Sequence, residues 1–164
     1  MDYTAHYPSP LGGITMASDG TALVGLWFDG QRHFASTLAP QHAEMPSAEP
    51  FAQARRWLDA YFSGRRPGFT PPLLLRGTAF RRRVWQALLA IPYGQTATYG
   101  SLAAQLGCRS AQAVAGAVGH NPVSIVIPCH RVVGADGSLT GYAAGLDRKA
   151  HLLRTEGREP HTLC

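Results

Sequence analysis

The residues best suited to chemistry are Pro128-Cys129-His130-Arg131, in which a thiol is followed directly by an imidazole. A thiol is a weak nucleophile until it ionises, and a neighbouring base or positive charge lowers its pKa. In a turn, the ring of His130 could reach the sulfur of Cys129 directly or through one water. Adjacent cysteine and histidine also occur together in protein cores, so the tetrapeptide alone leaves a structural role open.

A second candidate is Glu156, which follows Leu152 and Leu153 at helical spacing and so falls on an apolar stripe. A carboxylate on such a stripe is costly to bury unless it is paired. A histidine partner would give a Glu–His–Cys relay in which the carboxylate orients the imidazole. The alternative is a solvated glutamate at a helix end.

The elements that must position these residues follow from the second half of the sequence. TAFRRRVWQALLAI predicts a helix with Thr78 as its N-cap, and LDRKAHLLRTEG (146–157) predicts the last helix. TYGSLAAQLG and SAQAVAGAVGHNP predict two short helices joined by a tight turn, the shape of a helix-turn-helix. The second of these carries mostly small side chains, so it fits either a narrow groove of a partner or a tightly packed core. SIVI (124–127) predicts a strand or buried extended chain, and DGSLTGY a turn.

The first half of the sequence predicts a different architecture. ITMASDGTALVGLWF predicts two strands around a Ser-Asp-Gly turn, residues 36–50 a loop, and residues 51–64 a helix. The proline-rich stretch 65–73 is a candidate linker. We therefore predict an α+β protein: a small N-terminal antiparallel β-sheet domain with a helix (1–75), and a mainly α-helical C-terminal domain containing the helix-turn-helix (76–164).

Composition limits the classes of function. The chain has no run of about 18 apolar residues and no signal peptide at its start, so we expect a cytoplasmic protein without membrane association. Three cysteines without a CxxC pair argue against a disulfide framework and a zinc site. Residues 1–75 hold five arginines against six acidic residues, whereas residues 76–164 hold ten basic against four acidic residues. That imbalance suggests a polyanionic partner for the second half, although a solubilising surface explains it equally well.

Four segments of the second half resemble one family, the O6-alkylguanine-DNA alkyltransferases, also called methylated-DNA–protein-cysteine methyltransferases. The segments are FRRRVWQALLAIPYGQTATYGSLA, AVGHNP, IVIPCHRVVGADGSLTGYAAG and LLRTEG. The start, SPLGGITMASDGTALVGLWF, resembles the N-terminal domain of bacterial members more weakly. The resemblance implies a single irreversible reaction, in which an alkyl group leaves the O6 of a flipped-out guanine, or the O4 of a thymine, for Cys129. It implies no cofactor.

The resemblance also implies roles for individual residues. Cys129 would be the alkyl acceptor, His130 its water-bridged general base, Glu156 the carboxylate that holds His130, and Asn121 a brace behind the cysteine turn. Tyr99 would push the 3′ phosphate and rotate the nucleotide out of the stack. The other DNA-contacting or base-flipping candidates are Ser101, Ala111, Gln112, Ala113 and Arg131. The guanine pocket would be lined by Tyr142, Val132, Ala143 and Lys149, while Cys108 and Cys164 would be bystanders.

Two departures from the family pattern carry hypotheses. Gln112 stands where members usually have an arginine that fills the gap left by the flipped base, so we expect weaker DNA binding or base extrusion. Ala144 stands where a Gly-Gly pair is common and would narrow the pocket against bulky adducts. No cysteine precedes Cys108, so we expect no metal site of the kind found in some animal members.

The expected partner is double-stranded DNA bound through its minor groove, with the protein a monomer in the absence of DNA. Three other functions are compatible with parts of the pattern. A non-catalytic alkyltransferase-like protein that binds lesions would lack the cysteine, and a methylation-responsive regulator would carry an extra metal-binding domain. A cysteine hydrolase using Cys129, His130 and Glu156 would need an oxyanion hole, for which the sequence has no signature.

Overall fold

The structure is a computed structural model that describes residues 1–159, and it divides into two compact units. The first comprises Met1–Arg76 and Pro122–Ser124, and the second comprises Gly77–Asn121 and the chain from Ile125 onward. Cys164, predicted to be a bystander, lies outside the described residues. Within the described part of the chain, no helix has the length and apolarity needed to span a bilayer.

The first unit contains a mixed four-stranded sheet. Its strands are β1 (Asp2–Ser9), β2 (Gly12–Ser18), β3 (Leu23–Phe28) and β4 (His42–Glu44), in the order β3-β2-β1-β4. The first three are antiparallel, while β4 pairs parallel to β1. The predicted α+β class is confirmed, although the sheet is mixed rather than wholly antiparallel. Sequence analysis missed β1 and β4, the latter inside the predicted loop 36–50.

The predicted turn between the two recognised strands is present. The side chain of Asp19 accepts hydrogen bonds from the amides of Thr21 and Ala22, each at 2.9 Å, and Gly20 has a φ of 105°. An Asx-type turn with a left-handed glycine is the chemistry that Ser-Asp-Gly favours. All the residues of β3, the second strand of this hairpin, are buried.

Helix α1 (Glu49–Phe62) accompanies the sheet in the first unit. Its buried side chains recur at helical spacing: Phe51, Ala54, Trp57, Leu58 and Tyr61. The helix begins two residues before the predicted start, because Pro50 is tolerated in a first turn, where its missing N–H would have no helical partner. At the end of this unit, Arg76 closes a bidentate ion pair with Asp2, with N–O distances of 2.6 and 3.0 Å.

Two short segments pair with the outer edge of β3. The amide of Leu23 donates to Pro72, and that of Leu74 donates to Leu23, at 2.8 and 2.9 Å. Leu26 donates to Pro122 and accepts from Ser124, both at 2.8 Å. The predicted linker 65–73 therefore ends as part of the first unit.

The second unit is mainly helical. Its helices are α2 (Ala79–Leu89), α3 (Tyr99–Gln105), α4 (Ala111–Gly119) and α5 (Leu146–Thr155), with a two-stranded parallel ladder of β5 (Ala97–Thr98) and β6 (Val132–Val133). Thr78 caps α2 as predicted, accepting from the amide of Arg81 at 3.1 Å. The buried indole of Trp85 donates to the carbonyl of Ala117 at 2.9 Å and so joins α2 to α4.

The segment 124–127 is neither a strand nor extended chain. It is a buried turn in which Ile125 has a φ of 72°, a value that β-branched residues rarely adopt. The run of apolar, β-branched residues misled the prediction, because such a run marks burial in a turn as readily as in a strand. The turn leads directly into the residues of the candidate site.

Candidate active site

Cys129 lies at the exit of a tight turn centred on Pro128. The φ and ψ of Pro128 are −81° and 63°, and the amide of Cys129 donates to the carbonyl of Ile127 at 2.8 Å, which together define an inverse γ-turn. A single 3-10 turn, Cys129–Arg131, follows it. Because proline restricts φ to this range, the sequence itself favours the turn. Both reactive side chains are buried, with Cys129 6% and His130 0% exposed.

Asn121 joins the end of α4 to this turn. Its side-chain amide donates to the carbonyl of Ile127 at 2.7 Å, and the same side chain hydrogen-bonds Cys129. The contact agrees with the brace assigned to Asn121, while its role in a reaction stays a prediction.

Glu156 sits at the C-cap of α5 and accepts from three donors. Its Oε2 lies 2.5 Å from Nε2 of His130, and its Oε1 lies 2.7 Å from Nε of Arg131. The amide of Gly94 also donates to Oε1, at 3.1 Å. The glutamate is therefore buried and paired, and the solvated alternative is excluded by its contacts.

The pair of His130 and Glu156 fixes the protonation of the imidazole. Burial lowers the pKa of His130, and this outweighs the opposing effect of Glu156, so the ring is neutral at neutral pH. A neutral ring beside a carboxylate donates its Nε2–H, which leaves Nδ1 as the nitrogen able to accept a proton. This is the tautomer that a general base for the adjacent thiol requires.

The thiol itself is held in its protonated form at rest. Burial raises the pKa of Cys129, and this effect exceeds the lowering by Asn121, Lys149 and Tyr142. A thiolate therefore needs a proton acceptor and positive charge nearby, both of which the surrounding residues supply.

Lys149 on α5 is 0% exposed. Its Nζ donates to the carbonyls of Val132, Thr140 and Gly141 at 2.6, 2.9 and 3.4 Å. Burial lowers the pKa of Lys149 to about 8. The ammonium thus links the strand that follows the cysteine turn to the loop that precedes Tyr142.

Two tyrosines complete the surroundings of the thiol. The hydroxyl of Tyr142 is buried, and burial together with the nearby Cys129 raises its pKa. Burial also raises the pKa of Tyr99, whose hydroxyl accepts from Thr140 at 3.3 Å. Ala143 is half-buried next to Tyr142 in the sequence.

Arg131 requires a correction. It was predicted as a DNA contact, but it is 7% exposed and points inward. Besides its bond to Glu156, its Nη1 donates to the carbonyl of Ile91 at 2.6 Å, and its guanidinium stacks 5.7 Å above the ring of Tyr93. A guanidinium committed to three internal partners supports the cluster rather than an external phosphate.

Apart from Tyr99, which is half-buried beside the thiol, the other predicted DNA-contacting residues lie at exposed positions of α3 and α4. Ala111, Gln112 and Ala113 form the exposed first turn of α4, which Ser110 caps by accepting from the amide of Ala113 at 3.0 Å. Ser101 in α3 exchanges two hydrogen bonds with Thr98 in a capping box. These residues do not belong to the buried cluster around Cys129.

Sequence analysis missed the contribution of the turn between α2 and β5. In this turn, PYGQT, Tyr93 contacts Arg131 and Gly94 contacts Glu156. Gly94 has a φ of 79°, and a Cβ there would come within 3.2 Å of the carbonyl oxygen of Glu156. The glycine in that turn was the available signal, but the sequence does not say what approaches it.

Over residues 1–159, no group of three or more His, Cys, Asp or Glu side chains is placed to hold a metal ion. Cys108 lies in the turn between α3 and α4, half-buried and with its Sγ 3.5 Å from the carbonyl of Ser110.

Comparisons with known proteins cover both units. Residues 3–75 match the family model of the 6-O-methylguanine DNA methyltransferase ribonuclease-like domain, and residues 79–158 match that of the DNA binding domain of the same family. A methylated-DNA--protein-cysteine methyltransferase of Mycolicibacterium paratuberculosis is 48% identical over 151 residues, covering 92% of this chain and 89% of that protein.

Solved structures agree with this match. The crystal structure of Mycobacterium tuberculosis O6-methylguanine methyltransferase has a TM-score of 0.85 at 44% identity, covering 98% of this chain and 96% of that one. An M. tuberculosis OGT in complex with DNA has a TM-score of 0.83 at 43% identity, covering 97% and 94%.

Proposed function

Since the chain belongs to the 6-O-methylguanine DNA methyltransferase family, we propose that it repairs alkylated DNA by direct reversal. It transfers a methyl or other alkyl group from the O6 of guanine to Cys129, and each molecule acts once. The observation that carries this proposal is the buried cluster in which Cys129 adjoins a neutral His130 held by Glu156.

The chemistry follows from that cluster. The thiol proton of Cys129 passes, through a bridging water, to Nδ1 of His130, and Glu156 stabilises the imidazolium that forms. The thiolate attacks the alkyl carbon as the carbon–O6 bond breaks. The guanine anion takes up a proton from water, and the imidazolium returns the thiol proton to water. The new thioether has no base or nucleophile in the site that would cleave it, so the protein is consumed.

DNA is the partner, and the second unit binds it. A base within the stack cannot present O6 to sulfur, so the target nucleotide is extruded, at a cost of a few kcal/mol. The helix-turn-helix of α3 and α4 places the small, exposed first turn of α4 in the minor groove, where contacts depend little on sequence. Tyr99, Ser101 and Gln112 act on the backbone and the gap in the duplex, whereas Arg131 acts inside the protein.

The guanine pocket is formed by Tyr142, the backbone at Val132 and Ala143, and Lys149, with Ala144 restricting bulky adducts. The proposed domains are 1–75 and 76–164. The separate family models support this division, although the compact units place Arg76 and Pro122–Ser124 with the first unit. A monomer in the absence of DNA and a cytoplasmic location remain predictions. O4-alkylthymine is the second substrate that the proposal includes.

One alternative keeps a specific observation in its favour. Gln112 replaces the arginine expected at the base-flipping position, and this departure favours a protein that binds lesions without repairing them. Cys129 and its relay argue against that function, because a lesion-binding protein needs no activated thiol.

The decisive experiment is intact-protein mass spectrometry after mixing the protein with a duplex that contains one O6-methylguanine. We expect the mass to rise by one methylene per molecule, with peptide mapping assigning the gain to Cys129. Cys129→Ser should bind the same duplex and gain no mass, and Cys108→Ser should gain it normally. Tight DNA binding without any gain in the wild-type protein would refute the transfer and favour lesion binding.

A further inference from the structure

Lys149 is a buried cation with no obvious place in the transfer step. Its ammonium is fully buried, and its contacts are with carbonyl groups rather than with a carboxylate. Burying a positive charge is costly unless it is paired or fully hydrogen-bonded. A methionine or leucine would fill the same space without the free-energy cost of burying a charge. The ammonium and its N–H donors therefore need a functional explanation.

The three carbonyls belong to two separate segments. Val132 follows the Cys129 turn, and its amide donates back to the carbonyl of Cys129. Thr140 and Gly141 belong to the loop that carries Tyr142 to the sulfur, and the hydroxyl of Thr140 reaches Tyr99. A single ammonium therefore connects the nucleophile's turn with the loop that forms the opposite wall of the site.

From these contacts we propose that Lys149 is a positioning residue whose ammonium fixes the loop 140–145 against the Cys129 turn, and so sets the distance between the pocket wall and the sulfur. The proposal rests on the proposed function for its reaction, but the hydrogen-bonded clamp itself is independent of DNA. Three tetrahedrally directed N–H donors match three carbonyls, which a planar guanidinium cannot reproduce.

The charge adds a second, smaller effect. Lys149 lowers the pKa of Cys129, against the dominant effect of burial. The pKa of Lys149, about 8 because of burial, leaves the ammonium as the main form at neutral pH, with all three donors in place. The other charged or titratable groups of this cluster are Tyr99, Cys129, His130, Arg131, Tyr142 and Glu156.

The first test compares Lys149→Met with Arg154→Met, which removes one exposed positive charge from the same helix. We expect Lys149→Met to transfer methyl groups about 100-fold more slowly in single-turnover reactions, the effect of misplacing reacting groups by about 1 Å. The single-turnover reactions use saturating duplex, and the dissociation constant for the lesion duplex is measured in a Cys129→Ser background, so that any loss of guanine binding is kept out of the transfer rate. Arg154→Met should match the wild type in rate.

The second test separates the effect of the N–H donors of Lys149 from the effect of its positive charge. In Lys149→Ala, added methylammonium should restore part of the transfer rate in a saturable manner, whereas tetramethylammonium, which has the charge but no N–H donor, should not. The rate at which iodoacetamide alkylates Cys129 gives the same comparison without DNA. This readout stays informative if the wild type fails to transfer methyl groups, so failure of the clamp and failure of the proposed function remain distinguishable.

Wild-type transfer by Lys149→Met, or equal rescue by both ammonium ions, would overturn the proposal. If Lys149→Met does not fold, Lys149→Arg decides the question. A folded Lys149→Arg that transfers more slowly at saturating duplex supports the clamp, and one with the full rate overturns it.

Discussion

Two regions of the second unit differ sharply in how their polar groups are used. Around Cys129, one carboxylate accepts from three donors, one ammonium donates to three carbonyls, and the side chains are buried. The first turn of α4 instead presents Ala111, Gln112 and Ala113 to solvent. The first region is preorganised for a single reaction, whereas the second is an exposed surface with few side-chain contacts, the one that the proposed function assigns to DNA. Side chains are held in fixed positions around the reacting sulfur, and they are exposed to solvent on the first turn of α4.

Glu156→Gln should have the largest effect, because it disrupts the buried cluster around Cys129. The amide of the new side chain cannot be an anionic acceptor for both His130 and Arg131. The imidazole of His130 would lose the carboxylate that fixes its tautomer, and the buried guanidinium of Arg131 would lose its counter-charge. We expect single-turnover transfer to fall by on the order of 1000-fold, and the free energy of unfolding by about 3–5 kcal/mol. Rates are measured under conditions where circular dichroism shows the variant folded.

The matched control is Glu159→Gln, the same change at an exposed position three residues later. It should leave both quantities unchanged. A Glu156→Gln variant that is destabilised but transfers at the wild-type rate would show that the cluster serves stability alone.

Gln112→Arg tests the other side of the comparison, the exposed surface. A guanidinium that stacks in the gap left by the flipped base should tighten binding to the lesion duplex and speed transfer by about 2- to 5-fold, equivalent to 0.5–1 kcal/mol. Gln105→Arg adds the same charge at an exposed position of α3 and serves as the control. Equal values for Gln112→Arg and the parent protein would refute the idea that Gln112 weakens extrusion.

The smallest effect on methyl transfer is expected from Arg76→Gln, which changes the first unit and none of the site residues. The hydrogen bond from Arg76 is the main cause of the lowered pKa of Asp2, and its loss should cost about 1 kcal/mol of unfolding free energy at pH 7, discounted for the partial exposure of Arg76. Methyl transfer should stay at the wild-type rate.

The pH dependence of this loss gives its signature. Because the folded pKa of Asp2 lies below its ordinary value of 3.8, its contribution is complete above that value and is lost as the pH falls through the folded pKa. The stability difference between Arg76→Gln and the wild type, measured by urea unfolding, should therefore shrink below about pH 4. A difference that is constant with pH would assign it to packing instead.

The sequence predicted some of these features well because they depend on local patterns. The apolar spacing of α1, α2 and α5 and the Ser-Asp-Gly turn each determine their own local structure. The pairing of Glu156 with a histidine was also predictable, because a carboxylate on an apolar stripe needs a partner. What failed depended on distant contacts: β4 is three exposed residues that form a strand only because β1 lies alongside.

The same limit applies to the site. The inward direction of Arg131 and the contribution of Gly94 arise because Glu156, far away in the sequence, lies between them. The left-handed Ile125 likewise depends on the surrounding packing rather than on the preference of isoleucine. Residue type suggested which groups are reactive, while their partners were fixed by tertiary structure.

The outer edge of β3 has a consequence for the solubility of the molecule. LVGLWF is the type of apolar, uncharged strand that adds readily to the edge of a neighbouring copy and starts aggregation. Its edge is instead occupied by two short segments, each entering through a proline, Pro72 and Pro122. Together these segments satisfy the amide and carbonyl groups of Leu23 and Leu26, which a strand of a neighbouring copy would otherwise pair with. A protein that is consumed after one reaction and must be made afresh is thereby protected from the self-association that its most hydrophobic strand would otherwise invite.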